Sequence, residues 1–95
     1  TALAVCRLLP DAPAELDGLR QRLDEIDGEI LALFARRQEL AGAIGAYKKA
    51  HRLPIRDEAR EAAVLASRGD LLPARRAQVE RLMGLLMELS REEQT

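Results

Sequence analysis

Aromatic side chains are nearly missing from this chain of 95 residues, which has one Phe, one Tyr and no Trp. Their scarcity, beside an abundance of Ala, Leu, Glu and Arg, argues against sheets and for long helices. An excess of charge of either sign is also lacking: 15 basic and 16 acidic side chains leave a formal net charge of −1. No global field then draws the chain to nucleic acid or to an anionic membrane, and any anion site must be local. The one cysteine, Cys6, has no intrachain disulfide partner. It reads as an ordinary tail residue in a reducing compartment.

Other absences exclude mechanisms. The apolar start "TALAVCRLLPDAP" is too short to span a bilayer and lacks the basic opening and small-residue cleavage pattern of a signal peptide, so a cytoplasmic chain is expected. There is no internal repeat, no Gly-rich phosphate loop, no Cys/His cluster at metal-ligand spacing and no Ser/His/Asp set. Neither a metal site nor a nucleophile is expected. The lone His51 falls in the last turn of the first expected helix, where a cation or polar cap is favourable.

What is present is 47% hydrophobic and 33% charged residues in a length that suits one small domain. A chain of this size buries only about two-thirds of its surface alone, so a partner chain is an expected source of further core. The expected class is all-α, with three helices, one very long, one short and one medium, forming an intertwined helical-bundle homodimer.

From Leu16 the apolar residues fall at 16, 19, 23, 26, 30 and 33, then at 40, 44 and 47, in steps of three and four that mark a helical seam once the charged position 37 is counted with them. Pro13 suits a first turn, and no proline follows until Pro54, whose preceding residue should leave helical geometry. One helix of about 38 residues is predicted, about 57 Å long. A globule of this length has a radius of gyration of about 12 to 13 Å, so the helix must reach across a partner. The second helix is predicted to open near Arg56 or Asp57 and close at Gly69. The third runs from about Pro73 to the chain end, with Val79, Met83 and Leu86 on a stripe that Ser90 and Gln94 continue.

Polar groups interrupt these inward stripes. Arg37 stands where the seam calls for an apolar residue, and Lys48, eleven residues on, lies on nearly the same face. An Arg on a seam costs several kcal/mol unless a carboxylate or an anionic ligand answers it. Arg20, seventeen residues before Arg37, is about 25 Å away along the axis and about 100° round the helix. It can reach that cluster only from an antiparallel second chain. Asp57, Arg60 and Glu61 share a face of helix two, and Ser90 and Gln94 share one of helix three. Together they suit a small dianion carrying a hydroxyl. The competing account makes them solvated faces: Arg37 paired with Glu39 or a carboxylate of another helix, Asp57 paired with Arg60, and Ser90 and Gln94 on a fraying end.

The string "LRQRLDEIDGEILALFARRQELAGAIGAYKKAHRLPIRDEARE", with its "RRQELA", a Gly three residues before Lys48 and "PIRDEARE", resembles the all-helical chorismate mutases, the AroQ class. The likeness covers about residues 16 to 94. It implies a helical domain over 13–95 behind an N-terminal extension, 1–12, and carries roles onto matching positions. Arg37 and the other subunit's Arg20 would bind the substrate carboxylates, and Lys48 would meet the ether oxygen and a carboxylate. Asp57, mainly through its backbone, and Glu61 would take the substrate hydroxyl, with Arg60 in support. Ser90 would meet a carboxylate and Gln94 the ether oxygen. The link between helices two and three looks a few residues shorter than is usual in the family.

The reaction implied is the pericyclic rearrangement of chorismate to prephenate in aromatic amino-acid biosynthesis, with no cofactor and with catalysis by conformational restraint and charge stabilisation. An isochorismate pyruvate lyase, a 4-amino-4-deoxychorismate mutase and a non-catalytic helical dimerisation or regulatory module are the rival readings. A partner enzyme of the shikimate route is a further possibility that the resemblance raises.

Overall fold

The computed structural model describes residues 12–95. The expectations attached to Cys6 and to the N-terminal extension lie outside the described residues, save for Ala12. In chain order come α1 (Ala12–Ala50), α2 (Glu58–Leu71), a 3-10 turn (Pro73–Arg75) and α3 (Arg76–Gln94). Among the described residues there is no strand, and the fold is all-α. The helices are 39, 14 and 19 residues long, so the long, short and medium order read from the sequence is the one observed. None of them is long and apolar enough to cross a membrane.

How α1 stops matters for the rest. The Leu53 N–H donates to the Lys48 carbonyl at 2.8 Å and the Arg52 N–H to the Lys49 carbonyl at 3.3 Å, with Arg52 in the left-handed region at φ 55. This is the bond pattern of a Schellman cap, formed here on arginine where glycine is the usual choice. His51 lies within the turn just past the helix, with Nδ1 2.9 Å from the Tyr47 carbonyl and its ring stacked on Tyr47. A carbonyl can only accept, so Nδ1 holds the proton and His51 acts as a polar cap.

α2 begins one residue later than the sequence suggests. Asp57 is its extended N-cap, with Oδ1 accepting from the Arg60 N–H at 2.9 Å, a bond type worth about 1 kcal/mol. Its other end differs more: Gly69 does not close the helix, which runs two residues further to Leu71. Gly69 is buried and an added methyl there would collide with the Arg76 side chain, so its role is close approach rather than reversal. Pro73 is the stop, because a proline pushes the residue before it out of helical geometry, and Leu72 has φ −136 and ψ 69. The same proline opens a tight 3-10 turn that delivers the chain into α3, three residues later than the Pro73 start read from the sequence. Arg76 then pairs with Asp70 across the turn, and α2 packs against α3.

By compactness the chain divides after Ala35. In the first unit, Leu19, Leu23, Ile26, Ile30 and Leu33 are all exposed, Leu23 at 56%. In the second unit, Arg36–Thr95, α1 buries Ala41 and Gly45 while Leu40, Ile44 and Tyr47 stay open, Leu40 at 65%. Ala41, Val64 and Met87 are the only buried hydrophobic residues among those described, far too little apolar surface for a self-sufficient core. The regular seam read from the sequence is therefore real, and it faces outward in the single chain.

The left-handed Arg52 yields a direct test. Arg52→Gly is expected to raise stability by about 1 kcal/mol, since glycine carries no Cβ penalty at such a position. Urea denaturation would show it as a higher midpoint, and an unchanged or lower midpoint would contradict the strained-cap assignment.

Candidate active site

A cavity of about 260 Å³ lies wholly within the second unit, walled by the end of α1, the loop after it, α2 and α3. Arg37 and Lys48 enter it from α1, three turns apart as their spacing requires. Asp57, Arg60 and Glu61 line it from the start of α2, and Ser90 and Gln94 from the last turns of α3. Seven of the eight residues singled out in the sequence thus meet in one place. The eighth, Arg20, belongs to the first unit, is exposed and pairs with Asp17 at 3.9 Å; it does not line the cavity.

Arg37 is half-buried at the boundary between the outward seam and the face of α1 that bears Ala41 and Lys48. Its Nη1 donates to the Leu86 carbonyl at 3.0 Å, and Gln38 Nε2 beside it donates to the Leu89 carbonyl at 3.2 Å. These two bonds hang α3 on α1. Among the described residues no carboxylate lies within ion-pair range of Arg37, and its expected pairing with Glu39 is not formed. A carbonyl dipole satisfies one N–H and leaves the unit charge uncompensated.

Lys48 Nζ donates to the Ile55 carbonyl at 2.5 Å and to Gln94 Oε1 at 2.8 Å. Gln94 Nε2 in turn donates to Ser90 Oγ at 3.1 Å. Ser90 and Gln94 are therefore fixed in a chain of bonds rather than loose on a fraying end. Asp57 meets the Arg60 backbone and not its guanidinium.

The close approach of α3 to α1 is possible because position 45 is glycine. A methyl group at Gly45 would lie 2.6 Å from Gln94 Cα and from the Gln94 carbonyl oxygen, well inside contact distance. A missing side chain on one helix thus sets the position of a cavity-lining one on the other.

Sequence reading missed two cations in the wall, Arg68 and Arg91, and its apolar parts, Ile44, Ile55, Val64 and Met87. Arg91 donates from Nη1 to Glu61 Oε2 at 2.6 Å. Its signal was available: Met83, Met87, Arg91 and Gln94 follow one another by four, four and three residues, a stripe beside the one taken. In all, five cationic side chains and two carboxylates line the cavity, an excess that suits an anion with more than one charge.

Residues 19–95 match the chorismate mutase type II family, and the chain belongs to that family. It is thereby a member of a family of isomerases with an all-α fold. Among curated proteins it is similar to the T-protein of Enterobacter agglomerans, 46% identical over 55 residues, which is 58% of this chain and 15% of that one. The T-protein of Haemophilus influenzae is 43% identical over 53 residues, 56% of this chain and 14% of that one. The 3-dehydroquinate dehydratase of Pyrobaculum aerophilum is 44% identical over 55 residues, 58% of this chain and 18% of that one. The matched stretch thus spans less than a fifth of each of these relatives. No solved structure matches the chain significantly.

Two neighbouring glycines test the close contact. An added methyl at Gly42 would meet only Glu93 Cγ at 4.0 Å, so Gly42→Ala should stabilise by up to about 1 kcal/mol through helix propensity. Gly45→Ala should destabilise by about 1 to 3 kcal/mol through overpacking. Urea unfolding of both variants would settle the contrast, and an equally benign Gly45→Ala would refute the packing of Gln94 on α1.

Proposed function

We propose that this chain is a chorismate mutase, isomerising chorismate to prephenate in the cavity between α1, α2 and α3. The observation that carries the reading is the surplus of five cationic over two anionic side chains around that cavity, with the Arg37 charge met by no carboxylate among the described residues. Chorismate is a dianion with a ring hydroxyl and an ether oxygen, and each has a counterpart here.

Arg37 takes one substrate carboxylate, with Ser90 as a further donor, and Arg20 of a second chain takes the other. Held at both ends, the flexible side chain is folded over the ring, which removes much of the entropic barrier to the reactive conformer. In the rearrangement one C–O bond breaks as one C–C bond forms, and negative charge grows on the ether oxygen. Lys48 has a third N–H beyond its bonds to Ile55 and Gln94, and Gln94 Nε2 has a second beyond its bond to Ser90. Both are available to that oxygen, where a donor lowers the transition state more than the ground state. Glu61 accepts from the ring hydroxyl, Asp57 acts there through its backbone, and Arg60 supports that end of the site. No covalent intermediate and no cofactor enters this sequence of events.

The second chain is a second copy of this one. Its support is the bare seam of α1 and an apolar core of three residues among those described, since covering each exposed Leu or Ile is worth about 1.5 to 3 kcal/mol. We read residues 13–95 as a single chorismate mutase domain in a cytoplasmic homodimer. Similarity of a 55-residue stretch to a protein named 3-dehydroquinate dehydratase supports a link, covalent or not, to another enzyme of the shikimate route.

The deciding assay follows loss of chorismate with prephenate as product. Arg37→Ala should lower kcat/KM by at least about a hundredfold, as expected for a charge-assisted contact worth about 3 kcal/mol or more. A fully active variant would remove Arg37 from the site. Mixing inactive Arg20→Ala chains with inactive Arg37→Ala chains should restore part of the activity, because one of the two sites of each heterodimer is then intact. No recovery in verified heterodimers would mean that the sites are not shared.

A further inference from the structure

The hydroxyl end of the cavity holds an ion pair for which the mechanism above has no use. Arg91 Nη1 lies 2.6 Å from Glu61 Oε2, with the two side chains only 28% and 19% exposed. Arg56 Nε stands 3.6 Å from the other oxygen, Oε1, close enough to act as a charge but too far to hydrogen-bond. The second carboxylate of the cavity, Asp57, has its Oδ1 on the Arg60 N–H at the positive end of α2. Each carboxylate there already has a positive counterpart, and Glu61 keeps Oε1 lone pairs for a neutral donor.

That arrangement discriminates between ring substituents. A hydroxyl needs only a lone pair, which a paired carboxylate still offers. An ammonium needs uncompensated negative charge to replace its hydration, and at Glu61 it would instead meet the guanidinium groups of Arg91 and Arg56. We propose that Arg91, paired with Glu61, is a specificity-determining residue that makes the cavity select a hydroxyl over an ammonium group on the ring of its substrate. The proposal rests on the functional reading above and deepens it. Arg91 acts through Glu61 and is a positioning residue, not a catalytic one. Specificity of this kind comes from a repulsive element against the wrong ligand, and removing the repulsion relaxes it.

The test compares kcat/KM for chorismate and for 4-amino-4-deoxychorismate in the wild-type chain and in Arg91→Met, Arg91→Gln and Arg91→Lys variants. Wild type should prefer chorismate, and the Met and Gln variants should move the ratio toward the amino substrate by about tenfold or more, as loss of one nearby charge implies. Arg91→Lys keeps the charge and should keep the ratio within about threefold. A purely structural role for Arg91 would lower both substrates together, and an unmoved ratio in whichever neutral variant folds would overturn the proposal. So would a shift in Arg91→Lys as large as in the neutral variants. A wild-type chain inactive on both substrates would overturn the functional reading and this inference with it, whereas activity with a fixed ratio would overturn the inference alone.

Discussion

One ammonium group holds the site together. Lys48 Nζ reaches the Ile55 carbonyl in the loop after α1 and the Gln94 side chain near the end of α3, so a single charge on α1 joins three segments. The Lys48 carbonyl is also the acceptor that closes the Schellman cap. End of helix, path of loop and position of the last turn of α3 all converge on this residue. An apolar side chain there could fill the space but could not bridge two acceptors.

The second constraint is apolar and unfinished. The chain spends its most regular hydrophobic pattern, the α1 seam, on a face that it does not itself cover, and among the described residues the buried apolar ones are Ala41, Val64 and Met87. In the homodimer proposed above, stability and site completion would be linked: the contact that covers the seam would also bring a second Arg20 within reach. A domain arranged in this way has little reason to persist as a lone folded chain.

Features set by periodicity were legible in the sequence. The length of α1, the shared face of Arg37 and Lys48 and the pairing of Ser90 with Gln94 all follow from 3.6 residues per turn. Features set by the contact of one helix with another were not. Gly45 stood out in the sequence only by its place three residues before Lys48, yet it is where α3 touches α1, and only the backbone of α3 reveals that. Gly69 looked like a helix stop, while Pro73 imposed the real one through the geometry of Leu72. Arg91 was passed over because the charge that explains it, Glu61, is thirty residues away in the chain and on another helix.

Gln94 occupies the final turn of α3, where carbonyls have no intrahelical partners and helices fray. The amide that lines the cavity is therefore borne by the last turn of its own element, which its bonds to Lys48 and Ser90 help to hold. Winding of that turn and readiness of the cavity form one equilibrium. The Thr95 N–H and hydroxyl cap the Glu92 carbonyl, and a molecule that accepts from the Gln94 amide would add a further bond to those holding the turn wound.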